Sequence, residues 1–401
     1  MAATSAAAQE NAGRGLPELI RANEQFGRSL LRQVHSGAPD RNVVVSPISL
    51  IVLFAAFRQH SGSDETFGKE IDKTFSWEPG LSLDVPARQL LAAFEEPIKT
   101  QPCRPSSLEC LEHVPQGAWI TNTFLYRAPE SKNPIDEGFS LDLEKNFKFK
   151  FVNTGPSAPT AQDLQRARRR VVDIPNLSAK AGTPVDDVWV SSGTHLQTAW
   201  KGNTFSLYEP HRGEFRTTTG EVKEVQLLDS EVAEYLYAKT ESFEAVALPC
   251  DRAYMIVVLP SPDKNIQAIE HELAEHPSTL DAALQRKEGS VTMPIFRIRA
   301  QFDLRDSIEA LGIKGVFDDL GHLVKIPKSH LTKVAQKIDL EVSKNGIRAD
   351  AETVAAAVYG GIMMAQDPFH VKLDRPFVFL IRDDTTNALL FIGAMMDPAI
   401  D

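Results

Sequence analysis

The residues best suited to hold a catalytic metal are His271, Glu272 and His276, a pair of histidines with an acid beside the first. A zinc-protease helix needs its histidines four apart so that both face one way, with a glutamate to activate the metal-bound water. These histidines are five apart, roughly 500° around a helix, and so point to different faces. Serine, histidine and aspartate are all present, but no GxSxG elbow orders them into a triad, and neither GxGxxG nor GxxxxGK[ST] offers a phosphate cradle. Ser61-Gly62-Ser63-Asp64 reads as a turn. The sequence therefore carries no sign of catalysis, and we expect neither an enzyme nor a metal or cofactor.

The remaining reactive and charged groups narrow the function classes. Cys103, Cys110 and Cys250 are the three cysteines, too few for a disulfide framework and without metal-binding spacing, as in a reducing compartment. The 43 basic residues are outnumbered by 54 acidic ones, giving a net charge of -11, which argues against nucleic-acid binding. The cluster Arg166, Arg168, Arg169 and Arg170 is most simply a solvated helix face. The opening MAATSAAAQENAGRGLPEL lacks the apolar run of a signal peptide, and no segment approaches a membrane span. A cytoplasmic or unconventionally released protein is expected, with secretion left open; the triplet Asn176-Leu177-Ser178 would matter only there.

Behind these residues stand elements of both kinds. Residues 1–16 read as a flexible tail, and Pro17 to His35 as an amphipathic helix. Asn42 to Val45 is strand-like, and Ser46-Pro47 opens a helix over Ile48 to Phe57 that is apolar nearly all round and so buried. The pattern predicts strands at Gly117–Tyr126, Val185–Trp200, Ala245–Pro249, Tyr254–Leu259, Val291–Ala300, Ile338–Val342, Phe377–Arg382 and Leu389–Met395. Helices are predicted at Asp163–Val172 and Asp303–Leu311, the latter stopped by Gly312. No repeat or linker divides the 401 residues, of which 42% are hydrophobic, so a single α+β domain spanning 17–401 is expected.

One stretch fits neither kind. NGIRADAETVAAAVYGGIMMAQDP, Asn345 to Pro368, has the alanines and leading acids of a helix start, yet its first half alternates small residues with charged ones.

Several segments in order resemble the serpins, the serine-protease-inhibitor family. Asn42-Val43-Val44-Val45-Ser46-Pro47-Ile48-Ser49 is similar to the family's N-V-x-x-S-P-x-S element, with Thr66 at its following threonine. Leu311-Gly312-Ile313 with Val316-Phe317, the pairs Leu248-Pro249 and Leu259-Pro260, and Asp374 to Arg382 followed by Leu390-Phe391-Ile392-Gly393 and Asp397-Pro398 continue the resemblance from about Pro17 to the end. There are departures. Val190 to Trp200 keeps the tryptophan of the family's central strand and loses its asparagine. Gln336 stands for a histidine at the top of the main sheet, and Lys344 for an acid before the hinge, groups that help control how that sheet opens.

The resemblance implies three β-sheets with eight to nine α-helices and an exposed reactive-centre loop within 346–373. A target protease would attack the loop as substrate, and the cleaved loop would then enter the main sheet with the enzyme still acyl-linked. Strand side chains alternate between faces. Counting from Gly346, one face carries Ile347, Ala349, Ala351, Thr353, Ala355 and Ala357, and the other Arg348, Asp350, Glu352, Val354, Ala356 and Val358. All the charge lies on one side, and a charge on the buried face would cost several kcal/mol unless paired. Inserting about ten residues adds about ten backbone hydrogen bonds, a gain on the order of 10 kcal/mol.

The hinge residues implied are Gly346, Ile347, Ala349, Ala351 and Thr353, with Ile347 larger than the usual inward residue and expected to slow the first step. Counting from the hinge puts the reactive bond near Tyr359-Gly360, while counting back from Pro376 puts it near Met363 to Gln366, with Met363 and Met364 as the candidates there. Met363 or Met364 would suit a chymotrypsin-, elastase- or subtilisin-like serine protease and Tyr359 a chymotrypsin-like one, with a papain-like cysteine protease as a second class. No basic residue between Arg348 and Lys372 suits a trypsin-like enzyme. The partner implied is a target protease, with no nucleic acid and no membrane, and the chain is expected to be a monomer. The alternative within the family is a non-inhibitory carrier, chaperone or interaction protein.

Overall fold

The computed structural model describes residues 2–61, 66–94, 117–126, 135, 137–153, 187–202, 204–205, 207–318, 320, 330–349 and 367–399. Nine helices and sixteen strands lie among them. Helix α1 (Ala2–Ser36) begins well ahead of Pro17, because the alanine-rich opening is strongly helix-favouring. Strand β1 (Val43–Val45) leads through Ser46 into α2 (Pro47–His60), whose proline occupies the first turn, where its missing N–H is no loss. Every residue of α2 from Pro47 to Phe57 is buried, so its apolar side chains have no solvent face to avoid. Helices α3 (Thr66–Phe75), α4 (Asp84–Phe94) and α5 (Glu137–Phe147) pack around it, with Phe26, Phe54 and Phe75 meeting edge-on or tilted.

The central sheet has the order β11-β12-β13-β4-β2-β3, built from β2 (Gly117–Tyr126), β3 (Phe149–Asn153), β4 (Asp187–Ala199), β11 (Phe296–Asp303), β12 (His330–Ser343) and β13 (Gly346–Ala349). A second sheet runs β1-β16-β15-β9-β8-β7, from β7 (Ala233–Lys239), β8 (Phe243–Pro249), β9 (Ala253–Pro260), β15 (Phe377–Asp383) and β16 (Leu389–Met395). The third contains β5 (His211–Arg216), β6 (Val222–Asp229), β10 (Gln285–Pro294) and β14 (Phe369–Lys372). Strand β10 joins these two sheets, its first half pairing with β7 and its last residues with β6.

Strands β15 and β16 are buried along their whole length, which is why they read as continuous apolar runs rather than alternating ones. Phe296 of β11 meets Phe377 and Phe379 of β15, so the central sheet packs directly on the second. Helices α6 (Ile266–Glu275) and α7 (Ser278–Ala283) follow β9, and α8 (Arg305–Ala310) and α9 (Gly315–Asp318) follow β11.

Two strands depart most from the sequence reading. Val291–Ala300, read as one strand, is the end of β10 and the start of β11, divided at Ile295 after Pro294, where the chain leaves one sheet for another. Strand β12, read as Ile338–Val342, is fourteen residues long because both of its neighbours continue its hydrogen bonding toward His330. The expected helix at Asp163–Val172 and the Ser61–Asp64 turn beyond Ser61 lie outside the described residues.

Candidate functional site

The centre of interest is the upper half of the slot between β4 and β12. Lower down these two strands pair directly and in parallel, from His330 opposite Asp187 to Ala335 opposite Ser191. Above that they part, and β13 lies between them, antiparallel to both. Gly346 stands opposite Ser343 and Ala199, Ile347 opposite Val342 and Thr198, Arg348 opposite Glu341 and Gln197, and Ala349 opposite Leu340 and Leu196. The start of the undecided segment is thus a strand in the middle of the sheet.

Local chemistry explains how the chain turns into that slot. After β12 ends at Ser343, Lys344 and Asn345 form the turn, and Ser343 Oγ accepts a hydrogen bond from the Asn345 amide at 3.3 Å. Gly346 has φ +140°, a region L side chains rarely enter, and a Cβ there would sit 2.1 Å from the Thr198 carbonyl oxygen. Only glycine allows the strand to come this close. Trp200 Nε1 donates to the Ser343 carbonyl at 2.8 Å, while its ring meets Phe205 edge-on. Lys344 Nζ lies 2.6 Å from Glu209, an ion pair exposed on its acidic side.

Inside the slot, Ile347 is 1% exposed and joins the core. In the register of the sheet Ile347 stands between the buried Val342 and Thr198. Arg348 stands on the other face, half-buried.

Gln336 marks the level at which the slot closes. It lies at mid-height in β12 rather than at the top of the sheet, since β12 is longer than its apolar core suggested. Its side chain is buried and grips two residues of another layer: Oε1 accepts from the Ser46 amide at 2.9 Å, and Nε2 donates to the Ser46 carbonyl at 2.8 Å and to Ser49 Oγ at 3.2 Å. Ser46 Oγ in turn donates to Thr194 Oγ1 of β4 at 2.6 Å. One glutamine therefore ties β12 to the start of α2, and Ser46 ties that start to β4. An amide supplies donor and acceptor together without any ionisation.

Of the residues the sequence singled out, Gly346, Ile347 and Ala349 come together in β13, whereas Ala351, Thr353, Tyr359, Met363 and Met364 lie outside the described residues. Sequence reasoning missed the Gln336 clamp and the Glu209 partner of Lys344. Glu209 has no sequence signal, being one acid among many in a loop. Elsewhere, His271 Nδ1 lies 3.0 Å from Arg32 Nη1 and His276 ends α6, and among the described residues no group of three metal-binding side chains occurs. Cys250, bridged to Trp200 in the sheet beside the slot, is buried, and burial pushes its thiol well above the ordinary range and away from the reactive thiolate.

Comparison with known proteins decides the family. The model described as Serpin (serine protease inhibitor) matches residues 21–398. The chain belongs to the serpin family. Among relatives of this serpin, Iripin-3 from Ixodes ricinus is 24% identical over 390 residues, with 94% of each chain covered. A relative described as "Serine protease inhibitor", from Cyanea capillata, is 24% identical, with 90% of this chain and 93% of the relative covered. Human thyroxine-binding globulin has a similar structure, with a TM-score of 0.77 at 18% identity, covering 96% of this chain and all (100%) of the other. At that identity the likeness speaks for the fold alone. The family's members are protease inhibitors or carriers, and among the described residues no helix is long and apolar enough to cross a membrane.

Proposed function

We propose that this serpin inhibits a serine protease of chymotrypsin, elastase or subtilisin type, acting as a suicide substrate. The protease serine attacks a peptide bond in the loop, with Tyr359, Met363 and Met364 as the candidate residues before the cut. The ester so formed keeps the enzyme attached while the loop's leading part enters the central sheet. Inhibition requires insertion to outrun hydrolysis of that ester. The observation that carries this reading is β13: Gly346 to Ala349 already pair with both β12 and β4, so the added strand has its nucleus and its register before any cut. Extending an existing ladder costs less than starting one, because the ends are already held together.

Gln336 and Lys344, standing where the family has a histidine and an acid, favour a second reading, a serpin that carries a ligand and traps no enzyme. Incubation with subtilisin, chymotrypsin and elastase separates the two. The inhibitory reading predicts a covalent band that survives SDS, of the mass of chain plus protease. Cleaved chain with no such band for any of the three would leave the carrier reading standing and the inhibitory one refuted.

A further inference from the structure

The seat of β13 requires glycine at 346, and the residue before it is Asn345. Asparagine followed by glycine is the pair most prone to lose its side-chain amide, because no Cβ shields the glycine nitrogen from the asparagine Cγ. Every other asparagine of the chain precedes a residue that carries a Cβ. The close approach to β4 therefore creates, one residue earlier, the most reactive amide in the sequence.

Its surroundings leave that amide free. Lys344 and Asn345 make a two-residue turn, closed by Ser343 opposite Gly346. Asn345 is half-buried, and among the described residues its side-chain amide makes no hydrogen bond; its backbone N–H alone is engaged, by Ser343 Oγ. Other asparagines are held. Asn23 Oδ1 accepts from the Leu389 amide at 2.7 Å, Asn42 Oδ1 from the Met396 amide at 2.7 Å, and Asn265 Oδ1 caps α6 through the Ala268 amide at 2.9 Å.

We propose that Asn345 is a modification site at which slow deamidation unseats β13. The Gly346 nitrogen gives up its proton and bonds to Asn345 Cγ, while the side-chain Cγ–N bond breaks and ammonia leaves with that proton. A five-membered imide remains, and water opens it. Attack at Cγ gives aspartate; attack at the Asn345 main-chain carbonyl carbon gives isoaspartate, with the chain now running through Cβ and Cγ. Water is the only co-reactant. Isoaspartate lengthens the main chain before Gly346 by one carbon, about 1.5 Å. The turn has no room for it. On the β12 side the Ser343 carbonyl is fixed by Trp200 Nε1 at 2.8 Å, and Lys344 is paired with Glu209 at 2.6 Å. On the β4 side even a Cβ on Gly346 would lie 2.1 Å from the Thr198 carbonyl oxygen and 2.8 Å from the Ala199 Cα. The lengthened chain displaces Gly346, the register is lost and Ile347 leaves the core. The proposal needs only the seat of β13, and holds whether the chain traps a protease or carries a ligand.

The test ages the full chain in mildly alkaline buffer, folded and in urea, and follows the hinge peptide by mass spectrometry. Deamidation adds one mass unit, and isoaspartate is marked by methyl transfer from S-adenosylmethionine with an isoaspartyl methyltransferase. Asn345 of the folded chain should convert within about tenfold of the unfolded rate, since a turn at a sheet end opens at little cost, and ahead of every other asparagine. The isoaspartyl fraction, separated by its added negative charge, is then read by hydrogen exchange. The amides of Ile347, Arg348 and Ala349 should exchange at least about tenfold faster than in fresh chain. Fresh Asn345→Asp, which has the charge without the extra carbon, and aged Asn345→Gln should keep the protection of fresh wild type. The proposal is overturned if Asn345 stays intact in the folded chain while the unfolded chain converts fully, or if the isoaspartyl chain keeps its protection. Loss of protection in fresh Asn345→Asp would overturn it too, since charge would then be the cause, as would loss in aged Asn345→Gln, which would place the damage elsewhere. Fresh wild type without protection at these amides would refute the seat itself, and the proposal with it.

Discussion

Replacing Gly346 with alanine places a Cβ 2.1 Å from the Thr198 carbonyl oxygen and 2.8 Å from the Ala199 Cα. Both are backbone atoms of β4, and neither can rotate away as a flexible side chain would. The φ of +140° adds strain of its own, on the order of 1–3 kcal/mol for a residue other than glycine, before any overlap is counted. Burying Ile347, the main apolar return on seating β13, is worth about 1.5–3 kcal/mol. A backbone overlap of this size cannot be relieved by a side-chain rotation and blocks the seat whatever that return and the ladder hydrogen bonds contribute, so β13 should leave the sheet in the variant while the surrounding strands stay folded. Native-state hydrogen exchange reads this directly at the amides of Ile347, Arg348 and Ala349. They should be protected in wild type and exchange nearly as fast as an open loop in Gly346→Ala, with β2 and β11 unchanged. Protection of those amides equal to wild type would refute the argument that glycine alone permits the seat.

Other perturbations test neighbouring parts of the account. Gln336→Ala removes three hydrogen bonds and leaves the buried Ser46 amide without its acceptor; at about 1–3 kcal/mol for the orphaned group alone, denaturant melting of the intact chain should show a loss of about 3 kcal/mol. An unchanged midpoint would mean the clamp is incidental. Glu270 is buried with His35 Nδ1 2.6 Å from its carboxylate, and burial, only partly offset by the His35 bond, raises its pKa above the usual carboxylate range. A group raised on folding contributes its stability below the unfolded-state pKa and loses it as pH climbs through the folded one. Glu270→Gln, fixed neutral, should therefore gain on wild type as pH rises through that window and show no gain below it, as read by melting temperature against pH.

The sequence made some of this legible for identifiable reasons. Strands β2 and β16 have the predicted bounds because both are apolar-rich runs with polar residues close on either side in the sequence. Strands β5 and β6 escaped because they are largely exposed and charged; HRGEFR buries only Phe215, and what marked the hairpin was the turn ending in Gly220, at φ +83°. The break between β10 and β11 was hidden because apolar alternation runs through both, although Pro294 stood at the point of crossing. At the site, the small-and-charged alternation after Gly346 disclosed the segment's strand phase, and Ile347 does lie inward. The clamp was not legible, since a glutamine becomes a latch only when folding brings Ser46 against it across 290 residues. The charge at Lys344 was visible, but its partner Glu209 follows from tertiary structure alone.

Whether the segment after β13 becomes a full strand is the central claim, and differential scanning calorimetry of the chain before and after a single cut between Tyr359 and Met364 tests it most directly. Completing the ladder adds about ten backbone hydrogen bonds, on the order of 10 kcal/mol, so the cut chain should unfold well above the intact one, by roughly 12 °C. A cut chain that unfolds at or below the temperature of the intact chain would contradict the account.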